Sequence, residues 1–217
     1  MGSPVRTRIL QPMDLDVDRG ASVAIVGPSG AGKTTLASII GALQEPSEGS
    51  YDFAGQDVVG KSRRDLARFR SVNLGFVFQL SHLIDERSAV ANVGLGLLDA
   101  SMRAEQRRER SLAALEQVGL RALAERRAGD LSGGERHRVA IARALVKQPR
   151  LIIADEPTSA LDQATGQAIL DLLSASAGAE VTLIVVTHDQ RAAEMADDVV
   201  EIVDGQCRSG AGPRLGR

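Results

Sequence analysis

The chain has 217 residues, 43% of them hydrophobic and 25% charged, which fits one globular domain with a substantial buried core. A net charge of −2 gives no electrostatic case for nucleic acid as the main partner. The single cysteine, Cys207, excludes an internal disulfide and carries no zinc-ligand spacing. No apolar run approaches the roughly 20 residues needed to span a bilayer.

In chain order, Met13, Leu15 and Val17 alternate with Asp14, Asp16 and Asp18, the period-two pattern of a half-buried strand. Arg19-Gly20 turns the chain into Ser22 to Val26, a continuous apolar strand of the fully buried kind. A glycine-rich loop follows, and Thr35 to Leu43 read as a helix. Gly75 to Phe78 is a second buried strand, ending at Gln79. From Ser88 to Leu145 the pattern is helical. Arginines in 103–110 and 121–127 interleave with Glu105, Glu109, Glu116 and Glu125, as on a solvated helical face. Leu151 to Ala154 is another buried strand, followed by Asp155-Glu156. A helix (Ala164 to Ser174), a strand (Val181 to Thr187), a short helix (Arg191 to Ala196) and a last strand (Val199 to Val203) close the pattern. These elements predict an α/β fold with a mostly parallel sheet, antiparallel N-terminal strands and a helical insertion over about 80–149, within one domain spanning 1–217. The N-terminus lacks an apolar signal core, so the chain is expected in the cytoplasm, with any membrane part supplied by another protein.

Chemistry concentrates where strands end. Gly27-Pro28-Ser29-Gly30-Ala31-Gly32-Lys33-Thr34 matches GxxxxGK[ST] at every fixed position, with a strand before it and a helix after. Glycines let backbone N–H groups converge on phosphate oxygens, and the helix adds the positive end of its dipole. Lys33 is placed to reach the β- and γ-phosphates, and the Thr34 hydroxyl to ligate Mg²⁺. Asp155 fits a strand-end carboxylate that holds Mg²⁺, and Glu156 could take a proton from an attacking water. Gln79 has the same placement; its amide could ligate Mg²⁺ or orient water. His188 follows a strand at the shared edge and is read as a γ-phosphate contact. Ser132-Gly133-Gly134 opens an amphipathic helix, which is either an ordinary capped start or an anion site that small residues leave open. Asp162 has a plain alternative too, capping the helix that follows it.

Together these residues resemble the ATP-binding subunit of an ABC transporter over nearly the whole chain. Walker A is Gly27 to Thr34, the Q-loop glutamine is Gln79 and the signature is Leu131 to Glu135. Walker B is Leu151 to Asp155 with catalytic Glu156, the D-loop runs from Ser159 to Asp162, and the switch histidine is His188. The stretches 75–79, 155–162 and 186–189 are similar, more narrowly, to bacterial ATPases of lipoprotein-release, macrolide-export and bacteriocin- or peptide-export systems. The resemblance implies a P-loop NTPase core that binds ATP and Mg²⁺. ATP contacts are implied at Gly27, Pro28, Ser29, Gly30, Ala31, Gly32, Lys33, Thr34 and Thr35, and at Ser132, Gly133, Gly134 and Asp162. Metal contacts are implied at Thr34, Gln79 and Asp155, and catalytic roles for Glu156, His188 and Gln79. It also implies two copies closing head to tail around two ATP molecules, and a transmembrane permease contacted around 79–93 at the cytoplasmic face of the membrane.

Departures from that pattern are specific. The family usually has an aromatic ahead of Walker A that stacks on adenine, whereas all five aromatics here lie between Tyr51 and Phe78. The N-terminal portion reads as short, as if an edge strand were absent. Arg136 and His137 stand where glutamines are common, and Ala91 precedes Asn92 where relatives often carry Glu. Two other readings compete. A soluble ABC ATPase acting on DNA or ribosomes would typically add a long coiled coil or a second cassette. A small P-loop kinase would have no use for 131–135 together with His188.

Overall fold

The computed structural model describes residues 8–98, 101–159, 161–178 and 180–209. Its centre is a six-stranded sheet. Strand β1 (Ser22–Val26) lies between β6 (Thr182–Val186) and β7 (Asp198–Val203); β5 (Leu151–Asp155) and β4 (Leu74–Phe78) extend the sheet beyond β6, and β8 (Gln206–Ser209) closes the other edge. Every pairing is parallel except β7 with β8. Parallel strands must be covered on both faces, and these strands are Val/Ile-rich accordingly. In β5 and β6 the alternation assigns Ile152, Ala154, Leu183 and Val185 to one core and Leu151, Ile153, Ile184 and Val186 to the other.

The second core is covered by α1 (Lys33–Ile40) and α2 (Arg63–Asn73), with Leu36, Ala37 and Phe69 buried in it. The first core lies under α6 (Gln163–Ser176) and the helices inserted between β4 and β5: α3 (Ala89–Gly94), α4 (Ala104–Gln117) and α5 (Gly133–Leu145). Ser88 caps α3 by accepting from the Ala91 N–H at 3.3 Å. Buried Asn92 then closes the preceding turn, donating to the Ile84 carbonyl and accepting from the Ile84 N–H. The final helix is α7 (Gln190–Met195).

The mostly parallel α/β architecture and its helical insertion are as the sequence predicts. The segment 13–17 keeps the expected alternation, with Met13, Leu15 and Val17 half-buried against the second core and the aspartates exposed. It nevertheless forms no ladder. A nearby hairpin, β2 (Asp52–Phe53) with β3 (Gln56–Asp57), has two residues per strand and pairs with itself. Among the described residues the antiparallel strand pairs are β2–β3 and β7–β8, besides the isolated bridges Ser88–Arg127 and Gly178–Val181. Helix α2 carries too few apolar residues to announce itself; Ser62 caps it, and Phe69 anchors it edge-on to Phe53 with ring centroids 5.1 Å apart.

One cation is held at a cost to stability. Burial lowers the Lys147 ammonium to about 8 from 10.5, while its Nζ donates to the Arg70 carbonyl at 3.1 Å. Between these two values the unfolded chain binds the extra proton, so the desolvation penalty is full below pH 8 and fades as the pH rises to about 10.5. Replacing Lys147 with Met should therefore raise the melting temperature at pH 7. That advantage should shrink between pH 8 and 10.5 in melts recorded across the range.

Candidate functional site

Register brings the expected residues to one edge. Phe78 pairs with Asp155, Asp155 with Val186, and Val186 with Ile25. The residues that follow these positions, namely Gln79, Glu156, Thr187–His188 and the loop beginning at Gly27, therefore leave the sheet side by side at the carboxyl ends of four adjacent strands. Ligands bind at this edge in open α/β sheets.

The loop between β1 and α1 depends on glycine at its first position. Gly27 has φ 144°, and a Cβ there would lie 2.0 Å from the Ile202 carbonyl oxygen on β7. Lys33 is buried, with Nζ donating to the carbonyls of Gly27 at 2.8 Å and Pro28 at 3.0 Å, so its ammonium is folded over the loop it belongs to. Asp155 faces this region. Burial, and then the neighbouring Glu156 carboxylate, push its carboxyl above the usual carboxylate range; Lys33 and a hydrogen bond from Thr34 oppose the shift. Its Oδ1 is buried without a hydrogen-bond partner. A carboxylate oxygen kept from water beside a second carboxylate suits a cation.

Glu156 leaves the strand in the left-handed region, φ 48°, a conformation that costs a non-glycine residue about 1–3 kcal/mol. Its N–H donates to the Val186 carbonyl at 2.8 Å, and the Ser159 hydroxyl donates to its carbonyl at 3.1 Å. The turn aims the carboxylate at His188, whose Nδ1 lies 2.9 and 3.0 Å from the two oxygens, and at the buried Thr187 hydroxyl, which donates at 3.4 Å. Glu156 is largely buried and His188 mostly exposed, so the pair sits at the mouth of the site.

Residues to which the motif reading gave no individual role brace this pair. Asp189 donates its N–H to the Thr187 hydroxyl at 2.9 Å, and its carboxylate accepts from Thr158 at 3.2 Å and from Arg191 at 2.6 and 3.0 Å. The Arg191 guanidinium holds the Asp189 carboxyl below the usual carboxylate range. Asp189 and Arg191 are neighbours in sequence, but Thr158 and Asp189 are 31 positions apart, and no spacing rule links them.

The second glycine segment belongs to a different surface. Ser132 caps α5 in a reciprocal box: its N–H donates to Glu135 at 2.8 Å and its hydroxyl accepts from the Glu135 N–H at 3.3 Å. Gly134 packs on α6, where a Cβ would lie 2.6 Å from the Thr165 methyl, and Gly133 is near Leu161. Asp162 caps α6, accepting from the N–H groups of Ala164 and Thr165 at 3.1 and 3.0 Å. Both residues thus act as helix caps within the chain. The Gln79 side chain is exposed, while the main-chain carbonyl of Gln79 meets Nε2 of the buried His137 at 3.1 Å. In the sequence His137 stands out only as a departure from the glutamine common at that place in the family the chain resembles.

Residues 10–159 match the family model described as "ABC transporter". The chain belongs to that family. It is 44% identical over 199 residues to a macrolide export ATP-binding/permease protein, MacB 1/2, of Paracoccus denitrificans, covering 92% of this chain and 30% of that protein. It is 42% identical to the lipoprotein-releasing system ATP-binding protein LolD of Legionella pneumophila, over 92% of this chain and 88% of the relative. The chain therefore spans about a third of the MacB proteins but most of LolD. In structure it resembles the dimeric ATP-binding cassette MJ0796 bound to ADP and Pi in a post-hydrolysis state, with TM-score 0.84 and 37% identity over 94% of this chain and 92% of the other. The fold is accordingly the α/β P-loop type of these cassettes.

The Gly27 environment yields a direct test. Gly27→Ala should destabilise the ligand-free chain by about 1–3 kcal/mol in urea melts, because neither the backbone angle nor the Ile202 carbonyl accommodates a methyl group.

Proposed function

We propose that this chain is the ATP-binding and ATP-hydrolysing subunit of a transporter, acting as one nucleotide-binding domain that drives a separate transmembrane permease. The observation that carries this reading is the convergence of the Lys33 loop, Asp155 and the Glu156–His188 pair at one sheet edge. Gly27 to Thr34, with Thr35, would cradle the phosphates, and Lys33 would exchange its two loop carbonyls for phosphate oxygens. Thr34, Asp155 and Gln79 would hold Mg²⁺. Among the described residues no group of three His, Cys, Asp or Glu side chains could hold a metal, and the orphaned Asp155 oxygen with a neighbouring hydroxyl suits an ion that keeps water and phosphate ligands. Bound Mg²⁺ would neutralise charge on the phosphates.

In the reaction, a water oxygen attacks the γ-phosphorus and the bond from that phosphorus to the bridging oxygen breaks. The electron pair leaves with ADP, and the water proton passes to Glu156. His188 would turn from the Glu156 carboxylate towards the γ-phosphate, and the Asp189–Arg191–Thr158 brace fixes the segment on which it turns. Ser132, Gly133, Gly134 and Asp162 would complete the site of a second copy arranged head to tail. The permease would dock around 79–93, where Leu80 and Ile84 are exposed, holding the chain at the cytoplasmic face of the cell membrane. No helix among the described residues is long and apolar enough to cross a membrane. The task in this reading is export of a peptide, lipoprotein or hydrophobic compound; the relatives' names, which mention macrolide export and lipoprotein release, support the last two.

Two measurements test this. Lys33→Ala should abolish Mg·ATP turnover in a phosphate-release assay; an undiminished rate would remove the loop from the mechanism. Glu156→Gln should slow hydrolysis about 10²–10⁴-fold, the worth of a general base. It should also run as a dimer on sizing chromatography with ATP and Mg²⁺, and a strictly monomeric profile would count against the head-to-tail arrangement.

A further inference from the structure

His137 has no part in the chemistry above, yet it is among the few buried polar side chains, 6% exposed on a helix whose other buried positions are Val139, Ala140, Ile141, Ala142 and Ala144. Burying an imidazole is unfavourable unless its nitrogens find partners. Here both partners are main-chain carbonyls: Gln79 at 3.1 Å from Nε2 and Gly133 at 3.3 Å from Nδ1. Carbonyl oxygens only accept, so each contact requires an N–H on the ring. The Nε2–H tautomer satisfies Gln79, and a doubly protonated ring satisfies both.

The Gly133 contact is local to α5, but the Gln79 contact crosses 58 positions and joins the end of β4 to the head of α5. It does not stand alone. Arg143 donates to the Ser81 and His82 carbonyls at 2.7 Å each, and Arg136 to Asp85 at 2.6 Å. Helix α5 therefore grips the strand's continuation along 79–85. His137 is the member of this set whose ring touches both Gln79 and the second glycine loop.

We propose that His137 is a positioning residue that couples the Gln79 end of β4 to Ser132–Gly134. A shift of the β4 end is thereby felt at the head of α5. The inference rests on the ATPase reading above.

His137→Phe keeps an aromatic ring, though a larger one, and removes both donors, while His137→Gln retains an N–H donor. Three quantities are to be compared well below the melting temperatures: the Kd for ATP, kcat, and hydrogen exchange at 79–82 and 133–136. The Phe variant should bind ATP within about twofold of wild type and lose about three- to tenfold in kcat, the range that one lost hydrogen bond supports. Its exchange should quicken in both segments together. The Gln variant should keep at least half of wild-type kcat and show wild-type exchange. Wild-type kcat and exchange in the Phe variant would overturn the proposal. Exchange that quickens in one segment only, or a Gln variant as impaired as Phe, would overturn it too. If the wild-type chain hydrolyses no ATP, the ATPase reading fails, while the exchange comparison still decides the coupling. Should the Phe variant not fold, the Gln variant decides: wild-type exchange in both segments supports the proposal, and loosening of either overturns it.

Discussion

Parallel register is the constraint on which the rest of this molecule depends. Each residue advances a strand by about 3.3 Å, and a slip of one position exchanges its two faces. The register Phe78–Asp155–Val186–Ile25 is held because the side chains on both faces of β5 and β6 are buried apolar groups with no tolerance for exposure. A slipped β5 would put Ile152 and Ala154 into the wrong core and would carry Asp155 and Glu156 off the edge shared with Lys33. The site thus inherits its geometry from hydrophobic packing some distance beneath it.

At that edge the two halves of the chemistry are built differently. The glycine-rich loop is shaped by backbone: glycine at 27 lets the chain lie against the β7 carbonyl, and Lys33 satisfies itself on loop carbonyls. The Glu156 half is built under strain. A left-handed glutamate and a half-buried carboxylate pair are each unfavourable in isolation, and the structure offsets them with hydrogen bonds to the Glu156 N–H, carbonyl and carboxylate. One Asp155 oxygen is the exception, unpaired in a setting that already disfavours its charge. Stability would not select that arrangement, whereas a cation between the carboxylate and phosphates would resolve it.

What could be read from the sequence follows from how local each signal is. Continuous apolar runs such as 22–26 and 151–154, and the unbroken glycine motif, are local and appear in place. Helix α2 rests on Leu66 and Phe69 among charged neighbours, and β2 and β3 are two residues long, so neither carries a periodicity. The alternation at 13–17 is real in burial but finds no strand to pair with, because alternation reports a half-buried face and says nothing of hydrogen-bond partners. The bracing of His188 by Thr158, Asp189 and Arg191 and the contact of His137 with Gln79 are tertiary. They join positions 31 and 58 apart, and only the assembled sheet brings them together.

Helix α5 shows why these separate features form one device. Its first turn carries the small residues that leave Ser132–Gly134 accessible, and the capping box with Glu135 makes that turn rigid. Its side chains at 136, 137 and 143 hold the segment that continues β4 past the site edge. The helix is thus bonded at its head and middle to that strand end, and each bond resists their separation by about 1 kcal/mol. The second glycine loop is therefore more than a capped helix start presented to whatever lies beyond the chain. Its helix is tied by side-chain hydrogen bonds to the same strand end that brings Gln79 to the edge shared with Asp155 and Glu156.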